Sequence, residues 1–130
     1  CEKVLEKALL LFPNDLSLHF YISETHHFLG LSLGYQGRLD EAISHIQKAI
    51  DFNPSNPLLY YAYGRFLFYK NEDNLQLALE QFEMVTNKTN DYNLWKSIVL
   101  FLFSVNKDEV AAEYCEKAHI IQVDLDEVCP

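Results

Sequence analysis

Residues 30–56, GLSLGYQGRLDEAISHIQKAIDFNPSN, contain two apolar patterns separated by Gly37. From Leu39 onward, apolar residues recur three and four positions apart, which is the spacing of one helix face. Glycine favours a turn, and Pro54 stops a helix because its nitrogen carries no hydrogen. The stretch therefore predicts the end of one helix, a short turn, and a second helix that ends before Pro54.

The small residues of this stretch recur further along the chain. Gly30 and Gly64 are 34 residues apart, and Ala42, Ala78 and Ala111 follow one another at steps of 36 and 33. Self-similarity at such a period is typical of stacked helical repeats, in which each unit covers the hydrophobic face of the next. Small residues let paired helices approach closely. We therefore expect these positions to be helix–helix contacts.

The same periodicity predicts an all-α chain of about seven helices. We place them at residues 1–12, 16–36, 39–52, 56–71, 75–88, 91–105 and 107–123. The turns are expected at Gly37, at NEDN (71–74) and at Asn106, and Asn56 is expected to cap the fourth helix, with Pro57 in its first turn.

One interval is longer than the others. Pro13 and Pro54 are 41 residues apart, seven more than one repeat. The run that starts near Leu16 contains no Pro or Gly before Gly30, so we place the surplus there. This predicts a lengthened second helix with an end that protrudes from the stack.

These positions resemble the tetratricopeptide repeat (TPR) family, whose pattern is W-x2-L-G-x2-Y, then A-x3-F, then A and P. The three copies carry His26, Leu29, Gly30, Leu33, Ala42, Ile46, Ala49 and Pro54; Tyr60, Tyr63, Gly64, Leu67, Ala78, Phe82 and Val85; and Trp95, Ile98, Val99, Leu102, Ala111, Cys115 and Ala118.

The resemblance implies a right-handed superhelical stack of antiparallel helix hairpins in a single domain over residues 1–130. Residues 1–13 would be the second helix of a partial repeat. Three repeats would follow at 14–54, 55–90 and 91–124, and 125–130 would be an exit segment. The last repeat also resembles the HAT repeats of RNA-processing complexes, so a HAT-type scaffold is an alternative.

The net charge and the length of the apolar runs argue against two classes of partner. The formal net charge is −9, whereas nucleic acids and anionic membranes attract basic surfaces. The longest apolar runs are too short to span a bilayer. We therefore expect no direct nucleic-acid binding and no membrane insertion. Acidic pairs such as Asp40–Glu41 and Asp108–Glu109 are expected at helix starts, where carboxylates offset the positive end of the helix dipole. The acidic residues Asp124, Asp126 and Glu127 do not lie at an expected helix start.

We also expect a protein that is not an enzyme and that uses no cofactor and no metal. No phosphate-binding glycine loop, paired-cysteine metal motif or G-x-S-x-G sequence is present. An all-helical enzyme or enzyme subunit built around Glu24, His26 and His27 is the alternative from a different class. Adjacent helical residues point about 100° apart, which works against such a site, and His45 has no companion at ligand spacing.

In proteins with this repeat, the first helix of each pair lines a concave groove that meets the ligand. In each copy this face carries residues at i, i+4 and i+7, which together form one ridge along the helix. The first ridge would consist of His27, Leu31 and Gly34. We expect the partner-binding groove to comprise His27, Leu31, Tyr61, Arg65, Phe68, Tyr69, Lys96, Leu100 and Phe103.

The resemblance therefore implies a non-catalytic scaffold or adaptor that binds a protein or peptide partner within a multiprotein complex. Apolar anchors of the partner would contact the aromatic residues, and its acidic group would meet Arg65 and Lys96. Some TPR co-chaperones clamp a terminal carboxylate with Lys and Asn on the first ridge. Here His27 and Leu31 hold those positions, so that function is not expected.

Two further expectations concern the chain ends and the cell. The sequence starts inside a repeat and has no polar capping helix, so we expect a longer parent protein and self-association through exposed stack ends. Cys1, Cys115 and Cys129 are odd in number and show no paired spacing. They favour a reducing intracellular compartment, cytoplasmic or nuclear.

Overall fold

The computed structural model describes residues 2–129, and in this part of the chain all regular structure is helical. Seven α-helices and one 3₁₀ turn follow in order: α1 (Glu2–Leu11), α2 (Leu16–Tyr35), α3 (Leu39–Phe52), α4 (Pro57–Lys70), the 3₁₀ turn (Glu72–Asn74), α5 (Leu75–Lys88), α6 (Tyr92–Ser104) and α7 (Asp108–Ile120).

The helices form hairpins that pack in sequence order. α2 pairs with α3, α4 with α5 and α6 with α7, while α1 packs on α2 and α3 packs on α4. The first helices of successive hairpins, α2, α4 and α6, also contact one another. The predicted all-α stack of helix hairpins is confirmed.

Local sequence sets the helix ends. Asn56 Oδ1 accepts a hydrogen bond from Leu58 N at 3.0 Å, and Pro57 occupies the first turn of α4. Asp15 and Asp91 cap α2 and α6 in the same way. Such a side chain satisfies one of the N–H groups that a helix start leaves without a partner. The predicted cap at Asn56 is confirmed.

The small residues lie where the hairpins close. A Cβ atom added to Gly30 would lie 2.8 Å from Ile46 Cδ1 and 3.1 Å from Ala42 O. A Cβ atom on Gly64 would lie 2.6 Å from Phe82 Cε1 and 3.0 Å from the carbonyl oxygen of Ala78. Real Cβ atoms essentially never lie closer than 3.0 Å to such atoms, and contacts of 3.0–3.4 Å are unusually tight. The predicted Gly–Ala contacts of the first two hairpins are therefore present.

The second helix is lengthened, as predicted. α2 has 20 residues, whereas α3 and α4 have 14 each. Its first turns leave Leu16, Phe20 and Tyr21 exposed. Deeper in the helix, the buried Ser23 hydroxyl donates to Ala49 O on α3 at 2.8 Å. The added length therefore presents apolar side chains, while the remainder of α2 packs on α3.

Two histidines make a further contact between α2 and α3. His26 Nδ1 lies 2.9 Å from His45 Nδ1, and the two rings stack with centroids 5.2 Å apart. The sequence shows no companion for His45 at metal-ligand spacing, and this contact with His26 was not predicted. The two positions are 19 residues apart, so only the antiparallel pairing of the helices brings them together.

The last helix ends earlier than predicted, because the chain reverses after it. α7 stops at Ile120, Gln122 adopts a positive φ of 65°, and Val123 N donates to Ala118 O at 2.8 Å. Residues 121–129, a longer stretch than the predicted 125–130 and from here on called the exit segment, then fold back so that Val123 and Leu125 are buried with the side chains of α6 and α7. The end of the stack that we expected to be exposed is therefore partly covered.

A disulfide joins Cys115 of α7 to Cys129 of the exit segment. The sequence showed no paired spacing for the cysteines, and this pairing was not predicted. A separation of 14 residues matches no recognisable motif, and the pairing depends on the chain reversal after α7. Cys1 lies outside the described residues.

No helix within residues 2–129 is both long enough and apolar enough to cross a membrane.

Candidate functional site

Arg65 is the centre of the candidate site. It projects from α4, one turn after Tyr61, and its Cζ lies 4.7 Å from the centroid of the Tyr61 ring and 5.8 Å from that of Phe66. A guanidinium over an aromatic face is attracted by the negative charge of that face. The two rings therefore hold the Arg65 side chain in a fixed position on α4.

The guanidinium of Arg65 has no carboxylate partner among the side chains that the structure describes, those of residues 3–129. It forms no ion pair with them, and its buried Nε atom donates no hydrogen bond to them. By contrast, Arg38 pairs with Glu41 and Lys70 with Asp40. Buried N–H groups of charged side chains are normally paired, because losing water without gaining a partner costs free energy. Arg65 Nε is therefore a buried donor without an acceptor among these residues.

Two exposed tyrosines flank this position. Burial raises the pKa of the Tyr61 hydroxyl, the positive charge of Arg65 opposes that rise, and nearby Tyr69 and Tyr35 add to it. Tyr35 is 77% exposed and Tyr69 is 51% exposed, so both rings are accessible at the surface. The sequence reading included Tyr69 but missed Tyr35. The signal was there, since Tyr35 lies four residues after Leu31 and continues that ridge by one turn.

Tyr61 has two structural roles: it holds neighbouring helices together, and it supports the side chain of Arg65. Its hydroxyl donates to Ser97 O on α6 at 3.3 Å, and its ring lies 5.9 Å from that of Phe82. The side chain is only partly exposed and packs against the larger hydrophobic cluster. Tyr61 thus connects α4 to α5 and α6, and it forms the base on which Arg65 rests.

The first ridge lies deeper than expected. His27 is buried, its ring stacks against Phe28, and its Nδ1 atom has no hydrogen-bond partner. Burial lowers the pKa of His27 and the charge of Glu24 opposes that shift, so the imidazole is neutral at pH 7. Leu31 packs against the smaller hydrophobic cluster, and the ring of Phe66 contacts Gly34. This ridge is therefore mainly packing surface.

Phe68 is core, which corrects its predicted place in the groove. It is 3% exposed, and its ring meets the edge of Phe101 on α6 at 5.8 Å. As the first helix of the middle hairpin, α4 is packed on two sides, so less of its surface is free than a ridge pattern indicates. Tyr69, the next residue, contacts the same Phe101 at 5.5 Å but stays half exposed.

The third ridge carries a cation that is already paired. Lys96 Nζ lies 5.5 Å from the centroid of the Tyr92 ring and 3.5 Å from Glu127 Oε2 in the exit segment. Leu100 is half exposed, whereas Phe103 is partly buried. We name the accessible set the Arg65 surface; it comprises Tyr35, Tyr61, Arg65, Tyr69, Lys96 and Leu100.

The alternative enzyme site combined Glu24 with His26 and His27, but the two histidines make separate contacts. His26 contacts His45, whereas His27 stacks on Phe28. In the described part of the chain, no group of three or more His, Cys, Asp or Glu side chains is arranged to hold a metal ion.

Replacing Tyr61 by phenylalanine tests the supporting role of its hydroxyl. The change removes the bond to Ser97 O but keeps the ring under Arg65, so we expect unfolding to become easier by about 0.5–1.5 kcal/mol. Urea denaturation measures this loss. The unchanged stability of a Tyr35→Phe control would show that the effect belongs to the interhelix bond, and equal stability of both variants would contradict that bond.

Comparison with known proteins agrees with this architecture. Residues 30–71 match the family model described as TPR repeat, a range that covers the end of α2 and all of α3 and α4. No curated protein matches the chain. The matched range includes both Arg65 and the Gly30 and Gly64 contacts. Residues 30–71 are therefore similar to a TPR repeat, and they lie within a stack of helix hairpins that extends on both sides of them.

Proposed function

We propose that this protein is a non-catalytic adaptor that binds a peptide or subunit of a multiprotein complex on the Arg65 surface. A TPR repeat indicates a protein–protein interaction module. The observation that carries the proposal is the environment of Arg65, a guanidinium that is positioned by Tyr61 and is paired with no carboxylate whose side chain is described.

The chemistry of this surface defines the partner. Nineteen Asp and Glu residues give the chain its acidic character, yet none of the described ones pairs with Arg65. A carboxylate from outside would gain charge-assisted hydrogen bonds and restore a partner to the buried Nε. The exposed rings of Tyr35 and Tyr69 and the side chain of Leu100 offer contacts for apolar groups beside that carboxylate.

Aromatic residues and arginine also supply most binding hot spots in protein interfaces. We therefore propose a ligand in which an acidic residue is flanked by aromatic or aliphatic anchors. Two peptide conformations satisfy this description. An amphipathic helix places every third or fourth residue on one face, and an extended segment places every second residue on one face.

The compartment stays a prediction. We proposed the cytoplasm or nucleus because the cysteines showed no paired spacing, and the Cys115–Cys129 disulfide now weighs against that argument. Cytosolic thiols are kept reduced by glutathione and thioredoxin. A thiol-trapping measurement on freshly lysed cells would show whether the pair is oxidised where the protein works.

A matched pair of neutralising variants tests the proposal, because the chain contains two arginines. Arg65→Gln removes the charge from the Arg65 surface, whereas Arg38→Gln removes an equal charge that is already paired with Glu41. The probe is a short amidated peptide of alternating glutamate and phenylalanine, measured by fluorescence anisotropy. We expect Arg65→Gln to weaken binding at least tenfold, about 1.4 kcal/mol, and Arg38→Gln to bind like the wild type.

Two controls make the result specific. The same peptide with glutamine in place of glutamate should bind weakly to all three proteins, and circular dichroism should show equal helix content. Equal affinity of the two arginine variants for the acidic peptide would refute the Arg65 surface as the binding site. Interest would then move to the exposed residues Phe20 and Tyr21 of α2.

A further inference from the structure

The exit segment contacts the same surface that we propose for a partner. It is fixed by the backbone hydrogen bond from Val123 N to Ala118 O, the burial of Val123 and Leu125, the ion pair between Glu127 and Lys96, and the disulfide between Cys129 and Cys115. Of these four interactions, the disulfide is covalent and the others are not. The disulfide therefore differs from the others in that a chemical reaction can remove it.

The segment has its own local order. Asp124 Oδ1 accepts a hydrogen bond from Asp126 N at 3.0 Å, which is the arrangement that Asn56 makes at the start of α4. Leu125 O then accepts from Val128 N at 3.0 Å and from Cys129 N at 2.9 Å. This single turn sets Glu127 toward Lys96 and places Cys129 beside α7.

Arg65 and Lys96, the two cations of the Arg65 surface, differ in whether a carboxylate pairs with them. Arg65 has no carboxylate partner in the described part of the chain, whereas Lys96 is paired with Glu127, which belongs to an acidic segment with apolar neighbours. A segment of this composition has the same chemistry as the partner described above. In this respect the exit segment is an intramolecular ligand.

We propose that the exit segment occupies the Lys96 end of the Arg65 surface and that the Cys115–Cys129 disulfide controls its release. This inference rests on the proposed function. An exposed ion pair contributes little by itself, and Glu127 is 63% exposed. The disulfide keeps Glu127 at a high effective concentration beside Lys96, and opening it reduces that concentration.

The opening step is a two-electron reduction by a thiol reductant of the glutathione or thioredoxin class. A reductant thiolate attacks one sulfur and breaks the S–S bond, and a second reductant thiol resolves the mixed disulfide. The products are two cysteine thiols and one oxidised reductant disulfide. Access is available, because both cysteines line the wall of an open cleft of about 760 Å³ between α7 and the exit segment.

The first test measures release without any ligand. The chain is studied oxidised and after treatment with dithiothreitol, in a Cys1→Ser background that leaves two cysteines. Hydrogen exchange of the Val123, Val128 and Cys129 amides should rise at least tenfold on reduction, while α4 and α5 exchange as before. A Cys129→Ser variant should show the reduced pattern under oxidising conditions. Unchanged exchange in both cases would overturn the inference.

The second test follows Lys96 itself. Amine acylation, located by mass spectrometry, should increase several-fold at Lys96 on reduction, whereas Lys70, which pairs with Asp40 far from the exit segment in sequence, serves as the matched control. Glu127→Gln should raise the labelling of Lys96 in the oxidised protein. Equal labelling of Lys96 before and after reduction would count against its release.

The third test separates this inference from the proposed function. Reduction should strengthen binding of the glutamate–phenylalanine peptide at least threefold in the wild type and have no effect in Glu127→Gln. Release of the segment without a gain in affinity would overturn the control of binding. If Arg65→Gln binds like the wild type in both redox states, the proposed function fails instead, while the release seen by exchange would stand.

Discussion

Replacing Phe82 by alanine is expected to lower the free energy of unfolding by about 3–5 kcal/mol, the range for deleting a buried aromatic side chain. Phe82 is fully buried on α5, and its ring packs at 5.6 Å from Phe101 on α6 and 5.9 Å from Tyr61 on α4. Its removal would leave a cavity where three helices meet, and rigid neighbours fill such a space only in part. Urea denaturation followed by circular dichroism measures the loss.

Met84→Ala is the matched control, since it shortens an apolar side chain on the same helix at a position that is 38% exposed. We expect a change within about 0.5 kcal/mol, as for most surface substitutions. A loss for Phe82→Ala no greater than that of Met84→Ala would mean that Phe82 is not part of the core.

The second large effect is expected from adding bulk between α4 and α5. Gly64→Leu forces a side chain into the space held by Phe82 and the Ala78 carbonyl, and Ala78→Leu does so from the opposite helix. Each change should destabilise the protein by about 1–3 kcal/mol through overpacking. Ala112→Leu adds the same atoms at an exposed position of α7 and should change stability by less than about 0.5 kcal/mol.

Stability measurements on the three leucine variants decide whether the repeat alignment is right. If Gly64→Leu and Ala78→Leu both unfold at the wild-type urea concentration, α4 and α5 do not meet at these positions. Destabilisation of both, with Ala112→Leu unaffected, would place the close contact where the repeated glycine and alanine predict it.

The fold was predictable because its signals are local. The 3.6-residue periodicity, the cap at Asn56, the positive-φ turn residues Gly37 and Asn106, and the spacing of the small residues all act within one hairpin. Each of these features agreed with the others. The lengthened α2 was found by the same means, since a run without helix-breaking residues keeps its helical state.

The candidate site was less predictable because it depends on contacts between hairpins. Phe68 has the spacing of a groove residue, yet Phe101 of the next hairpin covers it. Tyr61 looked like a ligand contact and also bonds to Ser97. The environment of Arg65 has no sequence signature, because the absence of a carboxylate partner among the described residues depends on how all the helices are arranged. The disulfide was missed for a similar reason, since a backbone reversal at Gln122 creates it.

The contact between His26 and His45 constrains where the hydrogens sit on the two rings. With their Nδ1 atoms 2.9 Å apart, one ring must donate and the other must accept, so a single hydrogen occupies the space between them. An accepting Nδ1 carries no hydrogen, so the accepting ring holds its hydrogen on Nε2. The pairing of α2 with α3 thereby selects the tautomer of that imidazole.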